Sequence, residues 1–145
     1  MINDNIKVAG ELKITITKPD GNTHETVIPN VVVTTGKAYI ASRMKDATAT
    51  AMSHMAIGTG TGSAAVGNTT LGTEAGRVAL TSTTVSTNAV AYVATFPAGT
   101  GTGAITEAGI LNASSSGTLL CRTVFSVINK ASADTLGITW TVTVN

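Results

Sequence analysis

The stretch Leu136-Gly137-Ile138-Thr139-Trp140-Thr141-Val142-Thr143-Val144 puts Leu136, Ile138, Trp140, Val142 and Val144 on one face and glycine and threonine on the other. A sustained period of two is incompatible with a helix, whose faces repeat every 3.6 residues, and marks a strand with one buried side. A strand buries that side only against more strands or a covering layer. The rest of the chain therefore has to supply partners.

Candidates are plentiful. Leu119, Cys121, Thr123, Phe125 and Val127 alternate with Leu120, Arg122, Val124, Ser126 and Ile128, so both faces are largely apolar, as in a central strand. Val90, Tyr92, Ala94 and Phe96 share a face, Ala104 to Leu111 reads as a strand interrupted by Gly109, and Arg77 to Ser86 alternates weakly as one strand. Near the start, Leu12, Ile14 and Ile16 oppose Lys13, Thr15 and Thr17. Pro19-Asp20-Gly21-Asn22 then supplies turn chemistry before Thr23 to Ile28, which predicts a hairpin.

One segment changes period. After Val31-Val32-Val33, the residues Ile40, Ala41 and Met44 fall on one helical stripe, Thr34 or Thr35 can cap its start, and Arg43 and Lys45 suit its negative end. A short helix over residues 34–46 is expected, followed by a polar exit from Asp46 to Thr50. Ser63 to Ala75 has no stable period and reads as loop or irregular edge. About eight strands linked by short turns cannot form parallel crossovers, so the expected fold is mainly β: an antiparallel β-sandwich with one short helix. We expect one domain over residues 1–145, made of an N-terminal hairpin or arm (1–30), the helix and the main strands (52–145).

Charged residues are only 12% of the chain and aromatics 3%, with a formal net charge of +1. That balance offers no electrostatic footprint for nucleic acid or an anionic membrane. No apolar run approaches the ~20 residues that span a bilayer. The single Cys121 has no intramolecular disulfide partner. A weakly charged surface of Thr, Ser, Asn and Ala suits a chain packed against neighbours.

The motifs that could carry chemistry fail on inspection. Gly58-Thr59-Gly60-Thr61-Gly62 follows a strand, and Gly60-x-Gly62-x-x-Ala65 matches a loose dinucleotide fingerprint. That fingerprint needs a helix N-terminus directly behind it and an acid about twenty residues on. Here Ala65 to Thr70 is a poor helix and Glu74 comes too early, so the loop reads as structural and no cofactor is expected. Val31 to Ala38 imitates a nucleotide-binding strand, Gly-Lys and helix. It lacks the first glycine and the hydroxyl after the lysine. His24, His54 and Cys121 show no metal-ligand spacing. Glu74, Glu107 and Asp134 have no calcium-loop spacing, and Glu107 reads as a cross-strand partner for Arg77 or Arg122. Trp140 reads as core more readily than as a sugar platform beside Tyr92. No catalytic or metal residues are assigned, and an enzyme is not expected. An internal echo pairs Gly58–Gly62 with Gly99–Gly103, and Thr73–Gly76 with Thr106–Gly109. Its unequal intervals argue against a structural repeat.

Taken in order, several short motifs resemble a family. They are Val31-Val-Val-Thr-Thr-Gly-Lys37, Met55-Ala-Ile-Gly-Thr-Gly-Thr61, Thr70-Leu-Gly-Thr-Glu74 with Arg77, Tyr92-Val-Ala-Thr-Phe96, Ile105-Thr-Glu-Ala-Gly-Ile-Leu-Asn112, Leu120-Cys-Arg-Thr-Val-Phe125, and Asp134-Thr-Leu-x-Ile-Thr-Trp-Thr-Val142. Over roughly residues 30–145 the chain resembles small virion structural proteins of tailed bacteriophages, which include tail-fibre, collar and capsid decoration types. The resemblance implies a virion part without catalytic residues, made in the host cytoplasm. Small size, low charge and the lack of a repetitive stalk lead with a capsid decoration (cement) protein that bridges major capsid subunits as a homo-oligomer. A tail, collar or fibre-attachment part is the alternative, and a carbohydrate-binding module a third. Gly58, Thr59, Gly60, Thr61 and Gly62 are the expected contact with a neighbouring subunit.

Overall fold

In the computed structural model, residues 5–45 and 49–145 are described. Among them lie ten strands and one helix: β1 (Val8–Thr17), β2 (Thr23–Pro29), β3 (Val31–Val32), α1 (Thr34–Arg43), β4 (His54–Gly58), β5 (Glu74–Ala79), β6 (Ser82–Ser86), β7 (Ala89–Phe96), β8 (Gly103–Leu111), β9 (Leu119–Lys130) and β10 (Thr135–Val144). They form two five-stranded antiparallel sheets, ordered β2-β1-β10-β7-β6 and β3-β9-β8-β4-β5. The expected sandwich is present, with ten strands in place of about eight. Two features account for the difference. Val31–Val32 pairs with β9 as a strand of its own. The segment read as one strand from Arg77 to Ser86 breaks at Leu80–Thr81, where the chain leaves one sheet for the other.

The strongest alternation sits at the centre of the first sheet. Strand β10 is flanked by β1 over ten pairs and by β7 over eight, and its even-numbered residues from Leu136 to Val142 are buried. Leu12, Ile14 and Ile16 of β1 join them, as do Tyr92, Ala94 and Phe96 of β7. From the second sheet come Met55, Ile57, Ile105, Ala108, Ile110, Leu120 and Cys121. The core is thus aliphatic with Trp140 and Phe96 as its largest members, as a chain with few aromatics requires. The N-terminal hairpin belongs to the first sheet: β1 is its second strand, and the turn closes with Asn22 N–H donating to Asp20 Oδ1 at 2.9 Å and Gly21 at φ 88°.

Helix α1 is shorter than expected, ending at Arg43; residue 46, assigned to it from the sequence, lies outside the described residues, as do residues 1–4 and 47–48. Neither Thr34 nor Thr35 caps it by side chain. Thr35 donates its hydroxyl to Leu119 O at 2.9 Å, and the free Thr34 N–H is met by Val66 O at 2.7 Å. Tertiary partners do the work of a cap, because unpaired helical N–H groups need an acceptor of any origin. Gly36 faces β9 so closely that a Cβ there would stand 2.0 Å from Leu120 O.

Candidate functional site

The glycine-threonine loop lies over the outer face of the second sheet, and two buried charges hold it there. Strand β4 ends at Gly58, which pairs with Glu107 of β8 on one side and Glu74 of β5 on the other. The echo between Thr73–Gly76 and Thr106–Gly109 therefore has a spatial counterpart: the two segments flank the same strand. Their carboxylates have different fates. Glu74 is partly exposed and takes a bidentate pair from Arg77 at 2.6 and 3.1 Å, while Arg77 Nη1 also donates to Ala113 O and Ser116 O. Glu107 is fully buried.

Buried at 0% exposure, the Glu107 carboxylate accepts five hydrogen bonds from this chain. Gly60 N–H (2.9 Å) and Thr73 N–H (2.7 Å) donate to Oε1; Gly72 N–H (2.8 Å) and Arg122 Nε and Nη2 (2.9 and 2.8 Å) donate to Oε2. Arg122, itself 3% exposed, reaches onward to Gly62 O, Ser63 O and Asn68 Oδ1. Burial pulls the Glu107 carboxyl upward, but the Thr73 and Gly72 amides, Arg122 and the Gly60 amide together hold it below its ordinary value. Of the two arginines considered from the sequence, Arg122 is the partner. An isolated buried ion would be prohibitively costly, and this one is tolerated because every lone pair is engaged.

The loop's composition follows from this arrangement. A Cβ on Gly60 would stand 2.4 Å from Glu107 Oε1, so only glycine lets the backbone reach the carboxylate. Thr106 Oγ1 donates to Gly60 O at 2.7 Å, and Leu71 closes a satellite cluster with Val33, Ala56, Leu111 and Leu119. The segment Ser63 to Ala75, read as loop or irregular edge, is loop as far as Thr73 and is pinned at Ser63, Asn68, Leu71, Gly72 and Thr73, as the glycine-threonine loop before it is at Gly60 and Gly62. Of the five expected contact residues, Gly58 and Gly60 are buried, Thr59 is half-buried, and Thr61 and Gly62 are exposed. Two amides that a phosphate would draw on in a loop of this kind are already engaged: Gly60 N–H donates to Glu107 Oε1 and Thr59 N–H to Thr73 O. The identical pentapeptide Gly99–Gly103 takes another shape, with Gly99, Gly101 and Gly103 at φ 83°, 66° and 141°, whereas none of Gly58, Gly60 and Gly62 has a positive φ.

The remaining candidates are dispersed. His24 is exposed on β2, and His54 Nδ1 lies 2.8 Å from Ser53 Oγ. Cys121 is enclosed in the core, where burial pushes its thiol up. Asp134 receives Lys18 Nζ at 2.6 Å and Ala131 N–H at 2.8 Å, and those bonds, Lys18 first, hold its carboxyl below the ordinary range. Among the described residues no three His, Cys, Asp or Glu side chains converge as metal ligands. Trp140 is 0% and Tyr92 7% exposed, and burial pushes the Tyr92 phenol up to about 12, so neither offers a stacking face to a sugar. No helix among the described residues is long and apolar enough to cross a membrane.

Sequence reading missed Asn68 and Leu71, and it noted Arg122 without its reach into the loop. One usable sign was present: Glu107 is the single charge of β8, and Arg122 stands among apolar residues in the first half of β9, on the other arm of the same hairpin.

Fold and site together define a β-sandwich stiffened from within, whose buried charges are spent on holding its own loops. The chain belongs to the family described as phage tail-collar fibre protein, N-terminal, whose profile matches residues 25–145. It is a structural protein of a bacteriophage virion. The match begins within β2, and it favours the tail or collar reading over the capsid decoration that small size and low charge put first; no finding supports a cement role. Searches of curated proteins and of solved structures found no match.

Proposed function

We propose that residues 1–145 act as one non-catalytic sandwich unit that joins a collar or tail fibre to the neighbouring proteins of the phage tail. The family match over residues 25–145 carries this reading. The architecture suits the task. A joint that transmits force needs surfaces that keep their shape, and the Glu107–Arg122 network fixes a loop that its composition would leave mobile. Within that loop the exposed Thr61 and Gly62, beside Val66 at 54% exposure, are the portion presented to a neighbouring subunit. Its partners are other virion proteins of the tail, and further copies of the chain stand beside it.

Immunogold labelling of intact virions with antibody against this chain tests the reading. Gold at the tail or collar, with a few to a few tens of copies per particle, supports it. Gold over the head overturns it. A reconstruction in which Thr61 and Gly62 face solvent untouched removes the loop from the interface.

A further inference from the structure

Each sheet has two edges, and three of the four are guarded. A bare edge offers unpaired N–H and C=O groups to any passing strand, and proteins block it with charge, proline, bulges or brevity. Edge β2 carries His24, Glu25 ion-paired to Lys13 at 3.2 Å, and Pro29, which lacks an N–H. Edge β3 is two residues long and runs directly into α1. Edge β5 bears the Glu74–Arg77 pair, and its register with β4 shifts at Ile57/Gly58.

Edge β6 has none of these. Ser82-Thr83-Thr84-Val85-Ser86 contains no charge and no proline, and pairs with β7 through five residues without a break. All five residues are exposed. Val85 is 72% exposed although it pairs with Val90, which in turn pairs with the core residue Val142. The core-facing side of β6 is therefore left uncovered by the opposite sheet.

We propose that β6 is a self-association edge, pairing antiparallel with β6 of a second copy of this chain about a two-fold axis through Thr84. The strand fits itself in that register. Thr84 falls opposite Thr84 of the second copy, Thr83 opposite Val85, and Ser82 opposite Ser86, so every pair is uncharged and the β-branched residues meet one another. The contact is isologous and closes on itself, so it stops at a dimer. It merges two five-stranded sheets into one and brings Val85 of each copy under cover. A single strand pair is a small interface, and a dissociation constant on the order of 100 µM is expected. The pairing is a property of the isolated chain: gold on the head would leave it standing, and a monomer would leave the tail assignment standing.

Charge placed at the axis tests it. Sedimentation of the wild-type chain from ~10 µM to ~1 mM should show a monomer–dimer equilibrium. T84K and T84E should each weaken dimerisation by more than about tenfold, because like charges then face each other, and mixing the two variants should restore a dimer of one each. V85K, at a second exposed position, should weaken it likewise, and circular dichroism should show all three variants folded. A wild-type chain that stays monomeric at ~1 mM, an oligomer indifferent to T84K and V85K, or a mixture that fails to pair would each overturn the proposal.

Discussion

At the scale of single residues, Glu107 concentrates the most structural work in one side chain. E107A leaves the Arg122 guanidinium and three backbone amides buried without their acceptor, and is expected to cost ~3–5 kcal/mol in urea unfolding. E107Q keeps the shape but turns an NH2 donor against at least two of the five N–H donors and removes the charge that pairs Arg122, so it should cost a similar ~3–5 kcal/mol. The acid response follows from the same group. Glu107 and Asp134 have folded-state values held below their unfolded ones, so the unfolded chain takes up protons first as pH falls. Their stabilisation is fully present above the unfolded values of about 4 and is lost as pH falls through the folded ones. Unfolding midpoints measured from pH 7 downward should therefore hold steady and then fall below about pH 4, and E107Q should flatten part of that fall. Trp140 behaves differently, since its indole N–H is buried with no acceptor. W140F removes that unpaired donor while opening a small void, so it should cost far less than the ~3–5 kcal/mol expected of W140A; thermal unfolding of both variants decides this.

At the scale of elements, the docking of α1 on β9 reverses an ordinary rule. Replacing glycine by alanine in a free helix gains about 1 kcal/mol. At Gly36 the new methyl would meet Leu120 O at 2.0 Å, and backbone cannot step aside as a flexible side chain can. G36A should destabilise by ~1–3 kcal/mol, seen as a lower melting temperature with the helical circular dichroism retained. The helix itself was legible as a change of period at Ile40 and Ala41. How its start is satisfied was not, because Val66 O and Leu119 O come from segments whose approach no local pattern encodes. The split of Arg77–Ser86 into two strands was hidden for a related reason. Six of its residues from Leu80 to Val85 are polar or singly apolar in no firm alternation, so nothing local marks where the chain changes sheets.

At the scale of the whole molecule, a sandwich assembled from non-local pairs places its first and last strands side by side. Strand β1 is bonded to β10 across its whole length, so the hairpin at the N-terminus and the most strongly patterned strand at the other end stand or fall together. The two sheets leave the inner side of β6 bare at one corner, and Thr84 substitutions there should change assembly without changing the fold. The resemblance seen in residues 30–145 and the family match over 25–145 agree on a virion part. The choice between head and tail lay outside any strand pattern, since both uses ask the same of a sandwich core.

Local sequence determined the most regular strands and the faces they bury: alternation at Leu136–Val142, Val90–Phe96 and Leu12–Ile16 follows from the pleat alone, whatever the partner. It also determined that the chain would be weakly charged and aliphatic within. Only the tertiary structure decided which strands are neighbours, which edges are left open, and that Glu107 reaches Gly60 across a separation of 47 residues and Thr73 across 34. The reason is physical: a strand's periodicity is set by its own backbone, whereas a buried carboxylate takes its meaning from whichever amides and guanidinium the fold delivers to it.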